Sequence, residues 1–184
     1  QISLKLMPDS PEGHNNLGLV YSDLSRFDEA IKEYMIAIRL KPYYPEAENN
    51  LGIVYAKQGR FDEAIKEFMI ALRLKPDYPE AHLNLGNVYS ALGKFDESIK
   101  EYLIAIRLNP RYANAHYNLG NVYSALGKFD ESIKEYLIAI KLKSDYPEAH
   151  SDLGNVYFAL GKFDEAIKEY LIAIRLNPRY ANAH

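Results

Sequence analysis

The sequence predicts an all-α fold, a solenoid of antiparallel helix hairpins. Three observations carry the prediction: a fixed 34-residue step, apolar residues at helical spacing, and proline or glycine at the joints. Glycine recurs at Gly18, Gly52, Gly86, Gly120 and Gly154, and aromatic residues recur with it at Phe27, Phe61, Phe95, Phe129 and Phe163. Residues 85–106 repeat without change as 119–140. A period of this length marks a stacked array of short supersecondary units.

Each unit reads as two helices. In the third, a first helix runs from about Glu80 to Leu92, with Pro79 at its first turn, where a missing N–H costs nothing. Asp77 with Glu80 has capping-box spacing, as do Asp9 with Glu12 and Asp145 with Glu148. Gly93 is expected to close that helix in a left-handed conformation. The second helix is expected to start near Asp96 as N-cap and to end before Pro110. Its apolar residues Ile99, Tyr102, Leu103 and Ile106 fall at helical spacing, leaving Lys100, Glu101 and Arg107 for solvent. Two short helices bury too little surface to offset the entropy of ordering them, so each unit must cover its neighbour. Gly86 and its equivalents sit mid-helix, where glycine costs about 1 kcal/mol relative to alanine. Close approach of packed backbone is the expected reason.

The units run 11–44, 45–78, 79–112, 113–146 and 147–180 within one array spanning 1–184. Residues 1–10 match the end of a second helix, with Pro8 equivalent to Pro42, and 181–184 match the start of a first helix. Both ends are therefore expected to be cuts inside a repeat of a longer array. The last second helix should then expose Ile167, Leu171 and Ile174, and end-to-end self-association is expected. The linkers alternate in pairs, KPDYPEAH at 75–82 and NPRYANAH at 109–116, as duplication of a two-repeat unit or deliberate construction would produce.

Composition narrows the function classes. Among 184 residues, Lys and Arg number 22 against 25 Asp and Glu, a net charge of -3. Nucleic acid is a poor fit without a concentrated basic face. No apolar run reaches the roughly 20 residues of a membrane helix. Cysteine is absent, which removes disulfides and thiolate chemistry. Nothing specifies a compartment. No phosphate loop, nucleophile elbow or paired-histidine metal motif is present, so neither an enzyme nor a cofactor is expected. His14, His82, His116, His150 and His184 share one register position, with Glu48 interrupting the series. Equivalent positions on stacked helices lie about 8–10 Å apart, too far to share one metal, so packing or surface histidine is the expectation.

The 34-residue step, with Leu85, Gly86 and Tyr89 followed by Ser98, Tyr102, Ala105 and Pro110, resembles the tetratricopeptide repeat. Ser98 and Ser132 stand where alanine is usual, Ser144 replaces the proline, and His or Glu replaces a common early aromatic. The resemblance implies a right-handed superhelix whose first helices line the inner surface. It also implies a protein-interaction role.

A polar stripe is the functional lead. Two residues before each glycine stand Asn16, Asn50, Asn84, Asn118 and Asp152. One after it stand Leu19, Ile53, Asn87, Asn121 and Asn155, and six before it Glu12, Glu46, Glu80, Asn114 and Glu148. Offsets of four and three put these on one side of the first helix. Repeated mid-helix asparagine needs a cause, since it is a mediocre helix former. Two causes stand open: amides bonded between neighbouring helices to hold register, or amides facing the groove to pair with an extended peptide backbone. In tetratricopeptide superhelices the asparagine two before the glycine lines the inner groove, which the resemblance carries to Asn16, Asn50, Asn84 and Asn118. Leu83 and Tyr117, three before the glycine, are candidates to receive an apolar ligand side chain. The lysines with which some family members clamp chaperone tails are missing. The Glu at the groove edge favours neutral or basic segments. The expected role is thus an adaptor for an extended peptide, with a self-assembling scaffold as the alternative.

Overall fold

The computed structural model describes residues 10–177, and they form ten helices in two compact units divided between Leu92 and Gly93. In the first unit lie α1 (Pro11–Asp23), α2 (Phe27–Leu40), α3 (Pro45–Lys57), α4 (Phe61–Leu74) and α5 (Pro79–Ala91). In the second lie α6 (Phe95–Leu108), α7 (Ala113–Ala125), α8 (Phe129–Leu142), α9 (Pro147–Ala159) and α10 (Phe163–Leu176). None of these is long and apolar enough to cross a membrane. Pro8, Asp9 and residues 178–184, with His184, lie outside the described residues.

Helices α1 and α2 form one hairpin and α3 and α4 the next, with α2 packed on α3 and α4 on α5. The second unit repeats the pattern: α6 packs on α7, α7 and α8 form a hairpin, α8 packs on α9, and α9 pairs with α10. The core falls between hairpins. Ala30 and Tyr34 of α2 meet Leu51 and Val54 of α3, all buried, and Tyr136 of α8 meets Leu153 and Val156 of α9.

Helix punctuation departs from expectation in register. Proline occupies the first helical position of α3, α5 and α9, so Tyr44, Tyr78 and Tyr146 become N-caps with no side-chain bond to the first turn. Asp77 and Asp145 therefore fall one residue too early for a capping box, and Glu80 and Glu148 land at the second helical position. At α1 the cap is Ser10, whose hydroxyl accepts from the Gly13 N–H at 3.0 Å. The second helices begin two residues earlier than expected, with Lys94 at the cap of α6, which puts Asp96 in the first turn. There it still meets the positive end of the helix.

The helix stops follow expectation, with Gly93 at φ +71°. Arg60 N–H reaches back to the Tyr55 carbonyl at 2.9 Å, the six-to-one bond of a Schellman turn around Gly59. In the first hairpin Ser25 holds this position at φ +57°. The mid-helix glycines are spacers. A Cβ at Gly18 would lie 2.6 Å from the Tyr34 ring, and one at Gly120 2.8 Å from Tyr136. Ser132, fully buried where alanine was expected, is accommodated because its hydroxyl donates to the Gly120 carbonyl at 2.9 Å.

Candidate functional site

On the first helices the stripe positions lie one turn apart: Glu46, Asn50, Ile53 and Lys57 on α3, and Glu80, Asn84, Asn87 and Ala91 on α5. Asn16 and Asn87 are exposed, and Asn50 and Asn84 are partly buried. The partly buried pair bonds backwards: Asn50 Nδ2 donates to Asn15 Oδ1 and Asn84 Nδ2 to Asn49 Oδ1, each at 3.0 Å. Both bonds span 35 residues, joining three-before-glycine to two-before-glycine of the next repeat. Each uses one N–H, and an amide has a second N–H and a carbonyl oxygen to offer. Register-holding is therefore a role these amides do perform, and it leaves chemical capacity for another.

In the second unit the same link changes chemistry. Tyr117 donates its hydroxyl to Asp152 Oδ2 at 2.7 Å, so the aspartate departure meets a donor. Burial, then this bond, raises the Tyr117 phenol above its ordinary range. The Tyr117 ring lies 4.9 Å from that of Tyr146 and 6.0 Å from that of Tyr136, so it packs within the repeat. Leu83 is 6% exposed and has little surface to offer a ligand. Asn118 is partly buried.

The position after the glycine is coupled to the second helix. Tyr136 donates to Asn121 Oδ1 at 2.6 Å and Tyr170 to Asn155 Oδ1 at 2.8 Å. Asn155 also donates to Asp152 Oδ1 at 3.3 Å. In the second repeat both partners are apolar, Ile53 and Phe68. There an open depression of about 280 Å³ lies over Ile53, Phe61 and Phe68, with Asn84, Asn87 and Lys57 at its sides.

The expected acidic edge is largely neutralised in the first unit. Glu12 pairs with Lys41 at 3.0 Å and Glu46 with Lys75 at 3.6 Å. The bond from Lys41 holds the Glu12 carboxyl below its ordinary range. Lys41 and Lys75 also sit over the Tyr44 and Tyr78 rings at 4.3 and 4.4 Å. Glu80 is exposed, and Asn114 accepts from the Tyr146 hydroxyl at 3.1 Å.

The described histidines pack inside the fold. His14, His116 and His150 are buried, with Nδ1 at 2.6 Å from Glu33, Glu135 and Glu169 of the following helix. His116 Nε2 also faces the Pro110 carbonyl at 3.4 Å. In the second repeat Glu48 takes the histidine position opposite Glu67, and burial together with that carboxyl bond pushes Glu48 up to about 7.

Helix hairpins at a 34-residue step with glycine spacers define a class of repeat protein. The model for the TPR repeat matches residues 21–59, 54–93, 86–127, 120–161 and 154–184, and the chain belongs to the tetratricopeptide repeat family. Proteins of this family are generally interaction modules. No curated protein matches the sequence. Among solved structures it is similar to TTC0263, a thermophilic TPR protein of Thermus thermophilus, at 29% identity, 95% of this chain, 98% of that one and a TM-score of 0.78. It is also similar to MamA, at 29% identity, 90% and 96% coverage and a TM-score of 0.78. YrrB, described as a TPR protein with an unusual peptide-binding site, shares the fold at 20% identity, 96% and 91% coverage and a TM-score of 0.71.

Proposed function

We propose that this chain is a protein-interaction module that holds an extended peptide against the amide stripe of its first helices. The observation that carries the proposal is the pairing of Asn84 with Asn87 at the side of an open, apolar-floored depression. Side-chain amides there can both donate to and accept from a peptide backbone, whatever its sequence. Ion pairing of Glu12 and Glu46 weakens the case for a basic ligand, so the proposal rests on backbone recognition. A selection from a library of unstructured peptides, run in parallel on the chain and on its Asn84→Ala, Asn118→Ala variant, tests it. Peptides enriched on the unaltered chain alone are expected. Equal enrichment on both would sink the amide stripe. A melting curve of the variant separates lost binding from lost folding.

One observation favours a second reading, a scaffold that associates through its ends. Ile167, Leu171 and Ile174 of α10 are 56%, 58% and 40% exposed. The counterparts of Ile167 and Ile174, Ile31 and Ile38 of α2 and Ile133 and Ile140 of α8, pack against the next first helix, whereas Leu103 and Leu137, at the Leu171 position, are each 48% exposed within the array. Sedimentation over a hundredfold range of concentration should show mass rising with concentration, and Ile167→Glu should abolish the rise. A chain that stays monomeric throughout contradicts the scaffold.

A further inference from the structure

We infer that the depression over Ile53 and Phe61 is a side-chain subsite taking one apolar residue of a peptide flanked by a carboxylate side chain, which Lys57 recognises. This deepens the peptide-binding proposal and rests on it.

The apolar character of the subsite arises from paired substitutions. Where tyrosine stands on the second helix and asparagine follows the glycine, as in Tyr136 with Asn121 and Tyr170 with Asn155, a hydroxyl–amide bond makes this point polar. In the second repeat Phe68 lacks the hydroxyl and Ile53 lacks the amide, so the floor is hydrocarbon, presented by the partly buried Ile53 and Phe61 while Phe68 itself is buried. The depression, about 280 Å³, lies just below the roughly 300 Å³ at which pockets begin to take whole small molecules. It suits a single side chain of leucine or methionine size.

The wall is charged on one side only. Five residues after the glycine stand Asp23, Lys57, Ala91, Ala125 and Ala159, so only the second repeat places a cation at this point of its stripe. Lys57 Nζ donates to the Ser22 hydroxyl at 3.2 Å, a neutral partner that leaves its charge uncompensated by that bond. Asn84 and Asn87 face it from α5 with donors of their own. A carboxylate beside the apolar residue answers all three groups, whereas an ammonium would be repelled by Lys57.

Three end-blocked peptides test the subsite in chemical-shift titrations of the nitrogen-15-labelled chain: acetyl-Gly-Glu-Leu-Glu-Gly-amide, its Lys-Leu-Lys counterpart and its Glu-Gly-Glu counterpart. The Glu-Leu-Glu peptide should bind best, with shifts centred on Ile53, Lys57 and Asn87. Replacing its leucine by glycine, or its glutamates by lysines, should each weaken it roughly tenfold. Two variants borrow residues that sister repeats already tolerate. Ile53→Asn with Phe68→Tyr recreates the Tyr136–Asn121 pair and should make the floor polar, removing the leucine preference. Lys57→Ala copies Ala91 and should remove the charge preference while keeping the leucine preference. If the polar-floored variant binds as well as the unaltered chain, or the lysine peptide binds as well as the glutamate one, the subsite is overturned while the amide stripe stands. If no peptide shifts any first-helix resonance and the library selection also returns nothing, the peptide-binding reading fails with it.

Discussion

Gly120 shows how one missing carbon sets the spacing inside a hairpin. A methyl group there would meet buried Tyr136 at 2.8 Å, and the ring is 2% exposed with nowhere to retreat. Overpacking costs about 1–3 kcal/mol, against a helix-propensity gain of at most about 1. Gly120→Ala should therefore destabilise the chain by on the order of 1–2 kcal/mol in urea unfolding. Ser25 presents the opposite case, a side chain at φ +57° where its sister positions carry glycine. Ser25→Gly should stabilise by about 1 kcal/mol through relief of left-handed strain, read as a rise in Tm. Glu48 gives a pH signature. Its folded value, about 7, lies above the ordinary 4.5, so protonation favours the fold. Its contribution is fully present below pH 4.5 and lost as pH rises through 7. Lys66 opposes this weakly, while Glu67 reinforces it. Glu48→His restores the pair seen at His116 and Glu135, and should raise stability by on the order of 1–2 kcal/mol at about pH 8 and remove that fall.

At the scale of the helix, the sequence was legible wherever the period speaks. The hairpins, the glycine spacers and the exposed α10 face all follow from residues repeating at 34. Cap register was less legible, because Pro79 decides where α5 starts and displaces Asp77 from the cap. The amide links 35 residues apart match the register-holding reading of the stripe, whereas partners 15 and 19 residues apart do not follow from the period, although the sequence carries signals for them. Ile53 changes together with Phe68, and Glu48 replaces histidine at one repeat only. Lys57 extends the stripe by one turn on α3, where the other repeats carry Asp23 or alanine. The 35-residue link carries its own prediction. A double-mutant cycle on Asn49→Ala and Asn84→Ala should return a coupling of about 1 kcal/mol, because the two amides share one bond. A coupling near zero would mean that the bond contributes nothing to register.

For the whole molecule, the central claim is that polar side chains of the first helices recognise a peptide backbone in addition to holding register. Their chemistry admits both roles, since the bonds to Asn15 and Asn49 use only one N–H of Asn50 and of Asn84. The side-chain amides also report directly, because each gives its own pair of resonances in a proton–nitrogen spectrum. The most direct measurement follows those resonances while a peptide enriched by the library selection is added to saturation. The side-chain signals of Asn50, Asn84 and Asn87 are expected to move together, with the same affinity as the bulk binding curve. Saturation that leaves all three in place, with shifts confined to the second helices, would contradict recognition by these amides.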